Sequence, residues 1–439
     1  MTTFENVLNV IIIICSVIGT VIGYLTFYKT IYKIIGLFPA KKFPTAKENH
    51  NYAICVAARN EEKVIGNLLD SVYNQDYPKD KISVLVVADN CTDSTAEIVR
   101  EFAKNHQDMC VKVYEHKNPD ERTKGFALKY LFEQIKDDEG LTGDKGVEAF
   151  EGYFIFDADN VLNPNYITKM NEAFDVGNKI ITSFRHSKNM NQNWISFSYA
   201  MHWMRTCLTE NRAKGLLNQA CRIQGTGFLF ANELVKNGWN YTTLTEDRSF
   251  CTDAVIQNYR ITYCDDAIFY DEQPYKLKVA LRQRLRWSKG HLQSTVENCP
   301  KLLQNLVDPK ITFWTTYDCF WLNFPFSIEG AIRRIIKCTC MFIIGIIVGS
   351  AGNVWLGFLT GWLSGLGMTL LSDLVIQICV LIIYRKRIGK LPFFKTVFHM
   401  ILFPLFDIIG KWTSYVALFK HVEWKPIPHD TVMDVKQLK

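Results

Sequence analysis

Three short segments of this 439-residue chain combine residue types and spacings that could do chemistry. Asp157-Ala158-Asp159 follows the apolar run Tyr153–Phe156. Two carboxylates at i, i+2 just past a buried strand can share one hard divalent cation, which would neutralise a substrate diphosphate. A plain strand-end turn would also place Asp there. Thr245-Glu246-Asp247 reads as a helix start, with Thr245 as the N-cap and Asp247 oriented towards a cleft. A carboxylate so placed can take the proton from an attacking hydroxyl, although capping alone would explain the same residues. Gln283-Arg284-Leu285-Arg286-Trp287 is the most specific of the three. On a helix, Gln283, Arg286 and Trp287 share one face and offer an amide, a fixed cation and a flat ring. The cation suits a leaving diphosphate and the ring a stacked sugar. The rival reading is a basic helix on an anionic membrane, served by Arg282, Arg284 and Lys289.

The elements that must position these residues alternate. Tyr52–Ala57, Ile82–Ala88, Val111–Glu115 and Tyr153–Phe156 read as strands. Helices are expected over about 61–74, 94–104 and 126–135, and a polar surface loop over Asp137–Gly146. Such alternation argues for an α/β fold with a mainly parallel sheet covered by helices. Ligands then sit outside the carboxyl ends of the strands. There the sequence places Ala58-Arg59-Asn60-Glu61, Asp89-Asn90-Cys91-Thr92-Asp93 and Asp157-Ala158-Asp159, acidic and amide groups suited to a nucleotide base and ribose. The Gly-rich phosphate loops of dinucleotide-binding and P-loop enzymes are missing.

Composition sets the surroundings. Residues 8–28 contain no charged residue and 338–384 contain one, Asp373, so a purely soluble chain is excluded. Glu5 and the absence of a basic n-region argue against a cleaved signal peptide. Lys29, Lys33, Lys41 and Lys42 follow the first apolar run, placing the next segment in the cytoplasm. Basic residues flank 338–384 on both sides, which fits two spans with an outside turn near Ser350–Asn353. Residues 311–332, broken by Asp318 and Glu329, and 393–419, with Lys395, Asp407 and Lys411, read as interfacial helices, a tilted third span in the block 393–419 being the alternative. The layout is therefore a membrane anchor and linker (1–49, span about 8–28), a cytoplasmic domain (50–300), interfacial helices (301–337), two transmembrane helices (338–384), and an interfacial helix with a cytoplasmic tail (385–439). A net charge of +6 without a dense basic stripe gives no case for nucleic acid. Thirteen cysteines without a CxxC pair suggest reduced thiols.

In that order, Asp89, Asp157-Ala158-Asp159, Thr245-Glu246-Asp247 and Gln283-x-x-Arg286-Trp287 resemble the signature of family 2 membrane glycosyltransferases. Cellulose, chitin and hyaluronan synthases and rhizobial chitooligosaccharide synthases share it, and the resemblance covers roughly residues 50–300. It implies a GT-A domain, a Rossmann-like mixed sheet, acting on a UDP-activated sugar in a multi-pass protein of the cell membrane. Carried over by position, Ala58, Arg59, Asn60, Glu61 and Asp89 would contact the uridine. Lys124 resembles the basic residue that touches the diphosphate, a role to which Arg286 and Gln283 also belong. Asp157 and Asp159 would hold Mg²⁺ or Mn²⁺. Gly225-Thr226-Gly227 would lie beside the acceptor, with Trp287 serving the acceptor sugar. Asp247 would be the base, with Glu246 and Thr245 in the same motif, and a single displacement implies inversion to a β-glycoside. Many polymerising members carry a C-terminal Trp-containing segment that closes over the nucleotide; Trp424 to His429 has that position with a looser match. The leading expectation is a processive synthase that extends a β-linked polysaccharide and passes it across the membrane, alone, as a homo-oligomer or with accessory subunits. Three spans are few for a polymer channel, which keeps open a transferase acting on a lipid acceptor. A non-catalytic membrane scaffold predicts decay of the charged site residues, and none is visible.

Overall fold

The computed structural model describes residues 3–349, 351–427 and 429–433. Ser350 of the expected outside turn and Pro428 of the C-terminal segment lie outside the described residues. Eight strands build one sheet: β1 Tyr52–Ala58, β2 Ile82–Asp89, β3 Cys110–His116, β4 Gly152–Asp157, β5 Val161–Leu162, β6 Ile180–Ser187, β7 Phe228–Ala231 and β8 Ile261–Asp271. Their order is β3-β2-β1-β4-β7-β6-β8-β5. The first four are parallel neighbours and are the four strands expected from the apolar runs. β7 runs antiparallel to both β4 and β6, so the sheet is mixed rather than mainly parallel throughout. Apolar side chains on its two faces form two cores, Leu85, Phe132 and Tyr153 in one and Ile54, Leu68 and Phe154 in the other.

The helices expected early in the domain are Ile65–Tyr73, Thr95–Asn105 and Lys124–Asp137. The stretch expected as a loop, Asp137–Gly146, departs from that reading. Glu139–Thr142 is a helical turn and Gly143–Ala149 a 3₁₀ segment. Asp138 starts the first by accepting from Leu141 N at 3.1 Å, while Gly143 and Gly146 reverse the chain at positive φ. Polar capping and glycine, read as loop chemistry, here build tight turns.

Among the described residues, three stretches are long and apolar enough to cross a membrane: Thr3–Ile35, Trp355–Ile383 and Phe393–Phe419. Helix Phe326–Ile347 packs against Thr3–Leu25 and joins Ala351–Ile383 through Val348 and Gly349. The expected boundary at 337 therefore falls inside one continuous helix. Helix Phe393–Phe419 follows the α/β domain along its length. Lys395 Nζ reaches Asn191 O at 2.6 Å near one end, and Ala417 O accepts from Lys289 Nζ at 3.1 Å near the other.

Candidate active site

Register brings the loops together. Ala57 pairs with Asp157 and with Val87, so the chain leaves β1, β2 and β4 at one edge. A cavity of about 700 Å³ opens there, closed on the far side by the long helix Leu277–Asn305 and the membrane-proximal helices.

Arg59 and Asp89 form one wall. The Arg59 guanidinium bonds the Asp89 carboxylate and, through Nε, Asp89 O at 3.0 Å. The other carboxylate oxygen accepts from Asn90 and meets His116 Nδ1 at 2.9 Å. Asn60 does not line the cavity. At φ +57 it turns the chain, and its Oδ1 accepts from Thr92 N at 2.8 Å, tying the two loops. Ala58 and Glu61 do line it.

Lys124 opens helix Lys124–Asp137 and points across the cavity floor. Its Nζ lies 2.5 Å from Asp157 Oδ1, 3.0 Å from Gly225 O and 3.6 Å from Glu246 Oε1. Burial disfavours this charge, but Asp157, Glu246 and Asp247 outweigh it and raise the pKa. Burial pushes the Glu246 carboxyl up to about 7, against the pull of Lys124.

Thr245 occupies the N-cap position of helix Glu246–Ile256, yet its side chain caps nothing. Its Oγ1 is buried with no hydrogen-bond partner among the described residues and packs against Gly290, where an added Cβ would stand 2.5 Å away. The capping expectation fails because the long helix presses on the hydroxyl from outside. Asp247 faces Gly225: a Cβ built there, at φ +88, would meet Asp247 Oδ2 at 3.9 Å and Arg185 Nη1 at 3.8 Å. Glycine thus leaves a gap beside the Asp247 carboxylate. Thr226 and Gly227 do not line the cavity. Thr226 Oγ1 accepts from Asp157 N at 2.9 Å and bonds Asn160 Oδ1 at 2.6 Å, fixing the strand end. Gly227, at φ +66, makes room for the Phe269 ring.

Gln283, Arg286 and Trp287 share the cavity face of the long helix, as their spacing predicts. Arg286 Nη1 holds Leu244 O at 2.9 Å, just before the Thr245 motif. Gln283 Oε1 is buried without a partner among the described residues. The Trp287 ring meets Trp203 edge-on, centroids 5.6 Å apart.

Residues without a role in the sequence reading complete the site. Arg185 on β6 bonds Asp271 at the end of β8 and lies 4.0 Å from the Trp203 ring centre. Burial raises the Asp271 carboxyl to about 6 despite that partner. Glu272 N donates to Asp159 Oδ2 at 2.7 Å, and its carboxylate accepts from Asp430 N and Thr431 N at 3.0 and 2.8 Å. The acidic end of β8 was the available signal. Trp424 and His429, which the sequence reading did place in a closing segment, line the cavity as well: Arg59 lies 4.6 Å from the Trp424 ring centre, and His429 Nδ1 is 3.0 Å from both Glu61 oxygens. Burial opposes the imidazolium, but Asp159 and Glu61 raise its pKa to about 10.

The donor chemistry bears on the implied metal. Asp157 and Asp159 both line the cavity and supply carboxylate oxygen alone, which suits a hard cation. Among the described residues no cluster of three or more His, Cys, Asp or Glu could hold an ion by itself. Asp157 and Asp159 would suit a Mg²⁺ or Mn²⁺ ion, leaving the rest of its coordination to a bound ligand and water.

Residues 50–290 match the model of "Glycosyltransferase like family 2". The chain belongs to glycosyltransferase family 2. It is 24% identical over 250 residues to "Probable glycosyltransferase YdaM" of Bacillus subtilis (strain 168), covering 56% of each chain. It is 22% identical over 288 residues to the hyaluronan synthase of Streptococcus pyogenes, covering 63% of this chain and 65% of the synthase. The matched region thus spans less than two thirds of either relative. The mannosyltransferase PcManGT of Pyrobaculum calidifontis, solved with GDP-Man and Mn²⁺, superposes with a TM-score of 0.58 at 18% identity, covering 85% of this chain and 98% of that one. This likeness shows a shared GT-A-like fold. The carboxylates and cations around the cavity occupy the carboxyl edge of the sheet, where open α/β folds bind their ligands.

Proposed function

We propose that the protein is a membrane-embedded inverting glycosyltransferase that moves sugars from a UDP-sugar to a growing β-linked glycan and passes the product across the membrane. One observation carries this reading: Lys124, Asp157, Glu246, Asp247, Arg286 and Trp287 converge on a single cavity that continues to the membrane-proximal helices. In the reaction, an acceptor hydroxyl attacks C1 of the donor sugar from the face opposite the diphosphate. The new C1–O bond forms as the old one breaks, and Asp247 takes the hydroxyl proton. The nucleoside diphosphate leaves with the bonding electrons, its charge met by Lys124 and Arg286. Asp157 and Asp159 would hold Mg²⁺ or Mn²⁺, which when bound neutralises the diphosphate. Arg59, Asp89 and the stacked Trp424 suit the nucleoside end, and His429 with Glu61 holds the C-terminal segment over it. The basic flanks favour a cytoplasmic domain, with Thr3–Leu25 and Ala351–Ile383 crossing the membrane, Phe326–Ile347 packed against both, and Phe393–Phe419 lying along the interface.

The test is UDP release by the detergent-purified protein with Mg²⁺ or Mn²⁺ and a panel of UDP-sugars, beside Asp247→Asn. Release with one donor, falling by about 10²-fold or more in the variant, is expected for loss of a general base. Equal release by both proteins would refute the assignment of Asp247. Product sizing separates polymer from a singly glycosylated lipid.

A further inference from the structure

Beyond Trp287 the same cavity runs between the domain and the membrane-proximal helices, past Trp321, Phe324 and Phe326. Its wall there is apolar and cationic. Lys29, Arg222 and Arg248 come from three separate segments, two helices and a loop, and all line it. Among the described residues Lys29 Nζ bonds one carbonyl, Trp321 O at 3.2 Å, and lies 4.8 Å from the Phe326 ring centre. Arg248 Nη1 reaches Leu322 O and Asn323 Oδ1, both at 3.3 Å. Arg222 has one carboxylate, Glu210, at a loose 3.8 Å. Neither Glu210 nor the neighbouring Asp318 lines the cavity, and Asp318 is taken by Lys214 at 2.5 Å and by the Tyr28 hydroxyl at 2.9 Å. Burial and Arg222 push the Arg248 guanidinium down to about 10, so it keeps its charge at neutral pH.

A second observation at the same place is independent of charge. Trp321 is 7% exposed and lines the cavity, and its Nε1–H has no partner among the described residues. A buried donor left open in this way costs stability unless something accepts from it. Two cations bonded to neutral groups, a third with one loose carboxylate, an unused N–H and surrounding aromatic rings together call for an anion attached to a less polar body.

We propose that the membrane-side end of this cavity binds an anionic group, a phosphate or a carboxylate, carried by the acceptor, with Lys29, Arg222, Arg248 and the Trp321 N–H as its ligands. The inference rests on the reading above for the identity of the cavity as the acceptor's path. Two sources offer this chemistry: a lipid phosphate entering from the bilayer, and an acidic sugar within the growing glycan. Arg248 is adjacent to Asp247 in the chain, so the anion would be held close to the reacting end of the acceptor.

Direct binding tests it on the full-length protein in neutral detergent. The probes are farnesyl phosphate against farnesol, and a glucuronate-ended oligosaccharide against its glucose-ended counterpart. At least one anionic probe is expected to bind about ten-fold or more tighter than its neutral partner, as charge-assisted hydrogen bonds require. The preferred probe names the source. Arg222→Gln and Arg248→Gln should each erase most of that preference while UDP still binds, which reports a folded protein. Should Arg248→Gln fail to fold, the part-exposed Arg222→Gln suffices. Equal binding of anionic and neutral probes, or a preference untouched by Arg222→Gln, overturns the proposal. If no UDP-sugar is turned over while the anionic preference persists, the transferase reading falls and the anion site stands.

Discussion

Glu246 and Asp247 are adjacent acids that face different surroundings. Glu246 is buried against Lys124, and burial lifts its carboxyl from an ordinary 4.5 to about 7. The folded protein therefore holds this proton more tightly than the unfolded chain does. The associated stability is complete below about pH 4.5 and is lost as pH rises through 7. Glu246→Gln should remove that dependence, so its Tm relative to wild type should improve between about pH 5 and about pH 8. A constant difference across that range would show that Glu246 is not the group responsible. At this scale the sequence was informative wherever an acid follows an apolar run or a motif marks a helix start or a helix face. Asp89, Asp157, Asp159, Asp247 and Arg286 all reach the cavity. It was less informative for Asn60 and Thr226, whose polar atoms are spent on neighbouring loops. Glu272 escaped because its partners, Asp159 and the chain at 430–431, lie more than a hundred residues away on either side.

Helix Lys124–Asp137 shows how an element fixes a site residue. A Cβ at Gly125 would stand 2.2 Å from Tyr241 O and 2.7 Å from Thr242 Cα, backbone atoms held by their own packing. Gly125→Ala should lower stability by about 1–3 kcal/mol, the usual cost of overpacking, and weaken donor use by displacing Lys124. Unchanged Tm and donor KM would show that the approach is looser than described. The C-terminal segment is a second such element. Because Asp159 and Glu61 outweigh burial and raise the His429 pKa from 6.5 to about 10, the stability it gives the docked segment is complete below about pH 6.5 and is lost progressively as pH rises to about 10. Protection of the amides around His429, corrected for the intrinsic exchange rate, should fall between about pH 7 and about pH 9, and His429→Gln should remove that fall. β1 to β4 were readable because each is a short apolar run with local turn signals. β6 and β8 were not, since Arg185 and Asp265 interrupt runs that only the folded sheet buries.

On the scale of the whole molecule, Asp318 joins the membrane-proximal layer to the α/β domain. Lys214 and Asp318 are both nearly inaccessible, and Tyr28 from the first apolar stretch completes the contact. Removing one partner of a buried pair leaves the other charge stranded. Asp318→Ala should therefore cost about 3–5 kcal/mol, while joint replacement by Lys214→Met and Asp318→Leu should recover much of it. Thermal unfolding in detergent checks this, and a mild single variant would mean water reaches the pair. Asp318 illustrates the division between sequence and tertiary structure. As an acid in an aromatic segment it argued against a span, which is a local statement about hydration. That it docks the segment onto Lys214 is a long-range fact with no local trace. Likewise the sequence determined the chemistry at the carboxyl edge and the apolar segments, because residue type and short-range period encode both. Only the tertiary structure decided that one cavity runs from Asp89 to Trp321, since its walls come from residues spread across almost the whole chain and meet only when the helices pack.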